Sequence, residues 1–244
     1  ATTEEECHRL MNAAKENNVT LLVGHIERFN PAVEQMSKIL SDTSKIRSLT
    51  AQRMSAASGR ITDVDVSMDL MIHDVEVIQS LVKSEVVNIQ ACSVRTADKP
   101  EGKDYITAIL EFENGATANL TASRITQARV RTLTVTTDTN YIDMDFINQS
   151  INVHSQGRMP YINQESIPDW MNYGLKGSVE QLFIPTNQPL AAELNHFLDC
   201  VRGKATPRIN GESALKALKV IWEIQRKLGF IKNTEKSYLS VAAE

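Results

Sequence analysis

Among its 10 glycines the 244-residue sequence has no GxGxxG and no GxxxxGK[ST]. No loop of the kind that cradles phosphate on backbone N–H groups is therefore encoded. No apolar run approaches the ~20 residues that a membrane span needs, and the opening ATTEEECHRL has no signal-peptide architecture. A basic block is also missing: with a net charge of −4, nothing recommends a nucleic-acid surface or an anionic membrane. Cysteine is sparse. Cys7, Cys92 and Cys200 are scattered, odd in number and without a CxxC, which points to reduced thiols and a cytoplasmic protein. Cys7 adjoins His8, but no second pair at ligand spacing completes a set, so no metal site is expected. There is no starting Met, no internal repeat and no low-complexity tract.

What is present begins with a helix and a strand. Thr2-Thr3 followed by Glu4, Glu5 and Glu6 suits a helix N-terminus, and Asn17-Asn18 stops the helix. Val19–Val23 then reads as a nearly continuous apolar strand of the type buried in a parallel sheet. One helix and one such strand do not make a sheet. They read as the last αβ unit of a parallel α/β domain whose other strands lie outside this sequence. After them comes a polar loop, Gly24-His25-Ile26-Glu27-Arg28-Phe29-Asn30-Pro31, at the carboxyl end of a parallel-type strand, where α/β sheets bind ligands. Pro31 pre-sets a helix to about Leu40, with Asn30 as its cap.

The rest is strand-rich. Lys45–Ala56 reads as a strand broken by Ser58-Gly59, and Val86–Thr96 as another. Tyr105–Glu113 and Ala116–Ile125 flank Asn114-Gly115, a hairpin signal. A two-residue turn there pairs Glu113 with Ala116. Ile106, Ala108, Leu110 and Phe112 then share one face, with Ile109, Leu120 and Ala122 on the other. Neither face is polar in that register, so helices should cover one and a second subunit part of the other. Val130–Thr136, Tyr141–Phe146 and Ile151–His154 add strands, and Ser155–Gln188 reads as an irregular arm with an isolated strand. Two closing helices follow. Pro189–Arg202 places Leu190, Leu194, Phe197, Leu198 and Val201 in the core; the second, from Gly211 to about Leu228, is capped by Asn210. The fold class is α+β: an open, predominantly antiparallel sheet with helices on one face, plus the terminal αβ unit. The domain reading is 1–27 as a remnant of a dinucleotide-binding domain and 28–244 as a substrate-binding and oligomerisation domain.

The best case for chemistry is the helix containing Asp69 and His73, capped by Asp65 or Ser67, with Val75, Ile78 and Val82 as its apolar stripe. Four residues apart, the two side chains stack on one helix face. A carboxylate beside an imidazole is a general-base arrangement in which the acid orients the ring and favours its protonated form. A solvated surface pair satisfies the same spacing. His25 and Arg28 qualify as functional by their place at the strand's end, and as ordinary loop polarity otherwise.

Four ordered features together resemble the glucose–fructose oxidoreductase/inositol 2-dehydrogenase (Gfo/Idh/MocA) family. They are Ala1-Thr2-Thr3-x-Glu-Glu, Val23-Gly24-His25-x-x-Arg28-Phe29-Asn30-Pro31, Asp69-x-x-x-His73-Asp74, and Pro189-Leu-x-x-Glu193-Leu-x-x-Phe197 with Pro207 and Asn210-Gly211 beyond it. GHIERFNPA is most similar to the nucleotide-sugar dehydrogenase branch. The resemblance implies NAD- or NADP-dependent oxidation of a secondary hydroxyl of a sugar or nucleotide sugar, in a homo-oligomer formed through the open face of the sheet. It also implies a glycine-rich Rossmann domain and a catalytic lysine, neither found here, so the 244 residues alone should be inactive. By the same resemblance His73 takes the hydroxyl proton with Asp69 beside it, Arg28 and Asn30 hold cofactor, and His25, Arg53 and His196 contact substrate. Two other readings stand beside it. One is a non-catalytic ligand-binding and oligomerisation module; the other is a metal-dependent hydrolase using His73 and Asp74, for which no second ligand cluster is present.

Overall fold

The structure, a computed structural model, describes residues 1–40, 46–56, 64–95, 100–155 and 178–231. Eight strands form one sheet: β1 Ile46–Met54, β2 Val86–Ser93, β3 Tyr105–Phe112, β4 Thr117–Ser123, β5 Val130–Thr137, β6 Asn140–Asp145, β7 Ser150–Ser155 and β8 Ser178–Gln181. Their order is β2-β3-β4-β1-β5-β6-β7-β8. β1 runs parallel to β4 and antiparallel to β5, and every other neighbouring pair is antiparallel.

Period-two alternation puts Leu49 and Ala51 of β1, Leu133 and Val135 of β5, and Ile142 and Met144 of β6 on one buried face. Helices α2 (Pro31–Ile39), α3 (Ile72–Val82) and α5 (Gly211–Lys227) cover that face. Met36, Val75, Ile78, Ile221 and Ile224 join the strand residues in one continuous core. Each such side chain contributes about 1.5–3 kcal/mol of burial, so this layer carries the fold. The α+β reading, with helices on one face of an open and predominantly antiparallel sheet, agrees with the structure.

Helix α1 (Glu4–Glu16) starts where the Thr3 side chain accepts from the Glu6 N–H at 3.2 Å, and Asn18 beyond it takes a left-handed φ of 51°. It lies on α5 through Cys7 and Met11 against Leu215 and Trp222. The approach requires Gly211, where an added Cβ would stand 2.5 Å from the Met11 Cγ.

Four expectations change. Val19–Val23 pairs with no strand among the described residues; Val19 is 60% exposed, and the Val23 N–H donates to the Ile209 carbonyl at 3.1 Å. The β3–β4 turn holds three residues, not two: Phe112 N–H donates to the Ala116 carbonyl at 2.9 Å, and Gly115 sits at φ +83°. That one-residue slip moves Leu120 and Ala122 onto the face of Ile106 and Ala108, where all four are buried. The opposite face is then polar, with Thr107 opposite Thr121 and Ile109 opposite Asn119, so the two-sided apolar pattern disappears.

The third change concerns α4 (Pro189–Val201): Leu190, Leu194, Leu198 and Val201 are 45–58% exposed, while Glu193 and Cys200 are buried. Fourth, the strand expected to stand alone within Ser155–Gln188 is β8, hydrogen-bonded to β7. Residues 156–177 of that arm, and Ser58-Gly59, lie outside the described residues.

Candidate active site

A short 3-10 turn, Ile26–Phe29, sets the site between the end of α1's connection and the sheet. The expected domain boundary at 27/28 falls inside this turn. Its side chains reach across that boundary, because Glu27 is buried and accepts from Arg53 of β1.

Arg53 has the inward parity of Leu49 and Ala51, and is 2% exposed. Such a charge requires partners. Its Nε donates to both Asp74 oxygens at 3.1 and 3.0 Å, Nη2 donates to Asp74 Oδ1 at 2.7 Å, and Nη1 donates to Glu27 Oε1 at 2.8 Å. The guanidinium also lies over the Phe146 ring at 5.1 Å. Burial opposes the charge, but Asp74 and Glu27 outweigh it and push Arg53 above its ordinary range. All of this places Arg53 in a buried, structural role next to the site.

His73 follows from that network, being the residue before Asp74 at the start of α3. Its ring lies edge-on to the ring of His25, with centroids 6.1 Å apart. The Nδ1 atoms of both rings are buried without a hydrogen-bond partner. Burial first and Arg53 second, with Arg131 adding and Glu27 opposing, bring His73 down to about 4. Burial, His73 and Arg28 bring His25 to about 4 as well. Both rings are thus neutral at physiological pH and able to accept a proton.

The Asp69–His73 expectation is corrected in one respect. Residues Ser67–Met71 form a π turn, entered through the Asp65 side chain, which accepts from the Ser67 N–H at 2.8 Å. Since His73 Nδ1 has no partner, Asp69 does not bond that atom; its carboxylate stands 3.9 Å from Arg124. The surroundings therefore disfavour the protonated imidazole, the reverse of what the spacing suggested.

The remaining candidates divide. Asn30 is buried and caps α2, accepting from the Ala32 N–H at 3.1 Å. Its amide donates to Glu27 Oε2 at 3.2 Å and to the Phe146 carbonyl at 3.0 Å, so its polar atoms hold the turn. Arg28 donates to Glu76 Oε1 at 2.7 Å. His196 Nε2 accepts from the Arg208 N–H at 3.0 Å, and its ring lies 5.4 Å from Phe29; it braces the turn from α4. Among the predicted residues, His25, His73 and Arg53 come together with Asp74 and Glu27, whereas Asn30 and His196 support them from behind.

Other residues have no role assigned from the sequence. Glu76 and Glu193 are buried, with Glu76 Oε2 and Glu193 Oε1 unpartnered. Glu193 Oε1 would stand 3.5 Å from a Cβ on Gly24, next to His25. Burial raises both carboxyls, against the pull of Arg28 in the case of Glu76. Arg131 faces Arg53 across β1 and β5. Parity was the available signal: Arg53 continues Leu49 and Ala51, and Arg131 leads into Leu133 and Val135, so both arginines occupy inward positions.

Among the described residues no helix is long and apolar enough to cross a membrane.

Comparison with known proteins agrees with this geometry. The chain is 27% identical over 221 residues to UDP-N-acetylglucosamine 3-dehydrogenase of Acidithiobacillus ferrooxidans, covering 91% of this chain and 66% of that protein. It thus spans just under two thirds of that relative's length. A solved structure of that dehydrogenase superposes with a TM-score of 0.81 at 26% identity, over 94% of this chain and 69% of the other. The aldose–aldose oxidoreductase of Caulobacter crescentus, solved with glycerol, shares the fold at a TM-score of 0.75 and 21% identity, over 94% and 68% of the two chains. Residues 47–142 match the GFO/IDH/MocA C-terminal domain.

Proposed function

We propose that this chain supplies the substrate side of an NAD(P)-dependent oxidoreductase that oxidises a secondary hydroxyl of a sugar or nucleotide sugar. The observation that carries the reading is His73. Its imidazole is held neutral by burial and by Arg53, beside a second neutral ring and ahead of a carboxylate locked to the sheet. A neutral imidazole has a free nitrogen for a hydroxyl proton, and general-base catalysis is generally worth about 10²–10⁴ in rate, most when the base's pKa lies near the working pH. When bound, the nicotinamide accepts the hydride.

His73 takes the proton. Asp74 fixes the helix start that carries it, by its bidentate bond to Arg53. Asp69, from the neighbouring turn, is the carboxylate proposed to assist His73, and its partner Arg124 also pairs with Asp104. Residues outside this sequence hold the dinucleotide phosphates and supply the family lysine. The nucleotide-sugar preference is supported by the relative named for UDP-N-acetylglucosamine. Free thiols at Cys7, Cys92 and Cys200 fit a cytoplasmic setting.

In the holoenzyme, His73→Gln should lower turnover by about 10²–10⁴ with little change in sugar affinity. Undiminished turnover would remove His73 from the chemistry. The non-catalytic reading is favoured by the missing phosphate loop alone. Titrating the chain with NAD(H) separates the two: no tight binding is expected from these residues by themselves.

A further inference from the structure

The proposed reading leaves one inward-facing cation unused. Arg131 lies directly opposite Arg53 in the β1–β5 register, on the face that carries the site. The two arginines differ in every other respect. Arg53 is 3% exposed at its side chain and fully bonded, whereas the Arg131 side chain is 35% exposed. Its ion pair is with Glu27, at 3.8 Å, too long for a hydrogen bond.

Glu27 cannot approach more closely without giving up bonds it already makes. Its Oε1 accepts from Arg53 at 2.8 Å and its Oε2 from Asn30 at 3.2 Å. Asp74, the next acid, is spent on Arg53. Glu27 is the one acid that the described residues place in ion-pair reach of Arg131, so most of its five donors are left without a carboxylate. Arg129, just before the start of β5, is exposed and adds positive charge near Arg131. Arg53, Asp74 and His73 form a contiguous path from Arg131 to the proposed proton acceptor. A planar guanidinium with open donors suits the oxygens of a phosphate ester, which it can hold by two parallel bonds.

We infer that Arg131, with Arg129 near it, binds the phosphate oxygens of a phosphorylated sugar substrate and so selects nucleotide sugars over neutral sugars. This rests on the proposed reading for the identity of the sugar site. It goes beyond that reading in assigning substrate class to one residue, which acts by binding and takes no proton. Because Arg131 makes no close bond within the protein, replacing it should leave folding intact.

The test is titration calorimetry of the chain with uridine diphosphate, N-acetylglucosamine and NADP⁺, for the wild type, Arg131→Gln and Arg131→Lys. The expected result is uridine diphosphate binding that weakens at least about tenfold in R131Q, as loss of a charge-assisted bond pair implies. R131K should restore part of it, and the neutral sugar should be indifferent to all three. Equal binding of uridine diphosphate by wild type and R131Q, or none by the wild type, overturns the inference. If NADP⁺ were instead the ligand lost in R131Q, the phosphate held would be the cofactor's and the substrate assignment would fall. His73→Gln, measured alongside, keeps the two readings apart: it should retain uridine diphosphate binding whatever its effect on holoenzyme turnover.

Discussion

At the scale of single residues, the site is a balance between one fully paired arginine and two histidines kept uncharged by their surroundings. Arg53→Met would strand Asp74 and Glu27 as buried carboxylates, and breaking such a pair costs about 3–5 kcal/mol. Urea unfolding should show a loss of that size; a change below 1 kcal/mol would mean that the pair is not structural. The histidines dictate a pH dependence. Their folded values lie near 4 against 6.5 for the free side chain, so the unfolded chain binds more protons between those limits. Stability therefore falls as pH drops from about 6.5 to about 4, by up to about 3 kcal/mol per ring. Glu76 and Glu193, raised by burial, act in the opposite sense, losing stability as pH rises above the ordinary carboxylate range. Replacing His25 with Gln isolates the histidine contribution: the acid-side slope of stability against pH should become shallower. At this scale the sequence disclosed His73 through its motif. It placed Glu193 in a motif without disclosing its burial, because a glutamate on an amphipathic helix carries no mark of which face is buried.

Among elements, regular periodicity was legible and turn geometry was not. The α2 cap at Asn30, the α3 stripe of Val75, Ile78 and Val82, and the α5 cap at Asn210 stand as their residues imply. Asn114-Gly115 marked a hairpin, but both two- and three-residue loops admit that dipeptide. Only the register, fixed by the burial of Leu120 and Ala122, decides between them. The π turn was likewise invisible, since a single extra residue in a helix leaves no period to detect. Gly115→Ala places a Cβ at φ +83° and should cost about 1 kcal/mol, read as a lowered unfolding midpoint. Asn30→Ala removes a cap and two further bonds, so its loss should exceed the ~1 kcal/mol typical of a cap alone. Equal costs at the two positions would contradict the bonding assigned to Asn30.

Over the whole molecule, two surfaces are unlike a self-contained domain. One is the sheet face opposite the helices, carrying Gln52, Thr107, Ile109, Asn119 and Thr136. The other is the α4 stripe of Leu190, Leu194, Leu198 and Val201. We propose that the open sheet face forms a homo-oligomer, on the ground of its half-buried threonines Thr107, Thr121, Thr132 and Thr134, since the register leaves no second apolar face. Sedimentation should show a dimer or tetramer, and Ile109→Lys should shift it towards monomer; a monomer in both cases would remove the proposal. An apolar helix stripe predicts burial only when something lies against it, which explains why α4 was misread.

The account turns on a neutral His73, and its protonation is directly observable. An NMR titration of the ¹³Cε1 and ring ¹⁵N signals, assigned with His73→Gln, should show the ring uncharged at pH 5.5 and titrating near 4. A midpoint at 6.5 or above would show a solvated imidazole, and the proton-acceptor role built on its burial would be contradicted.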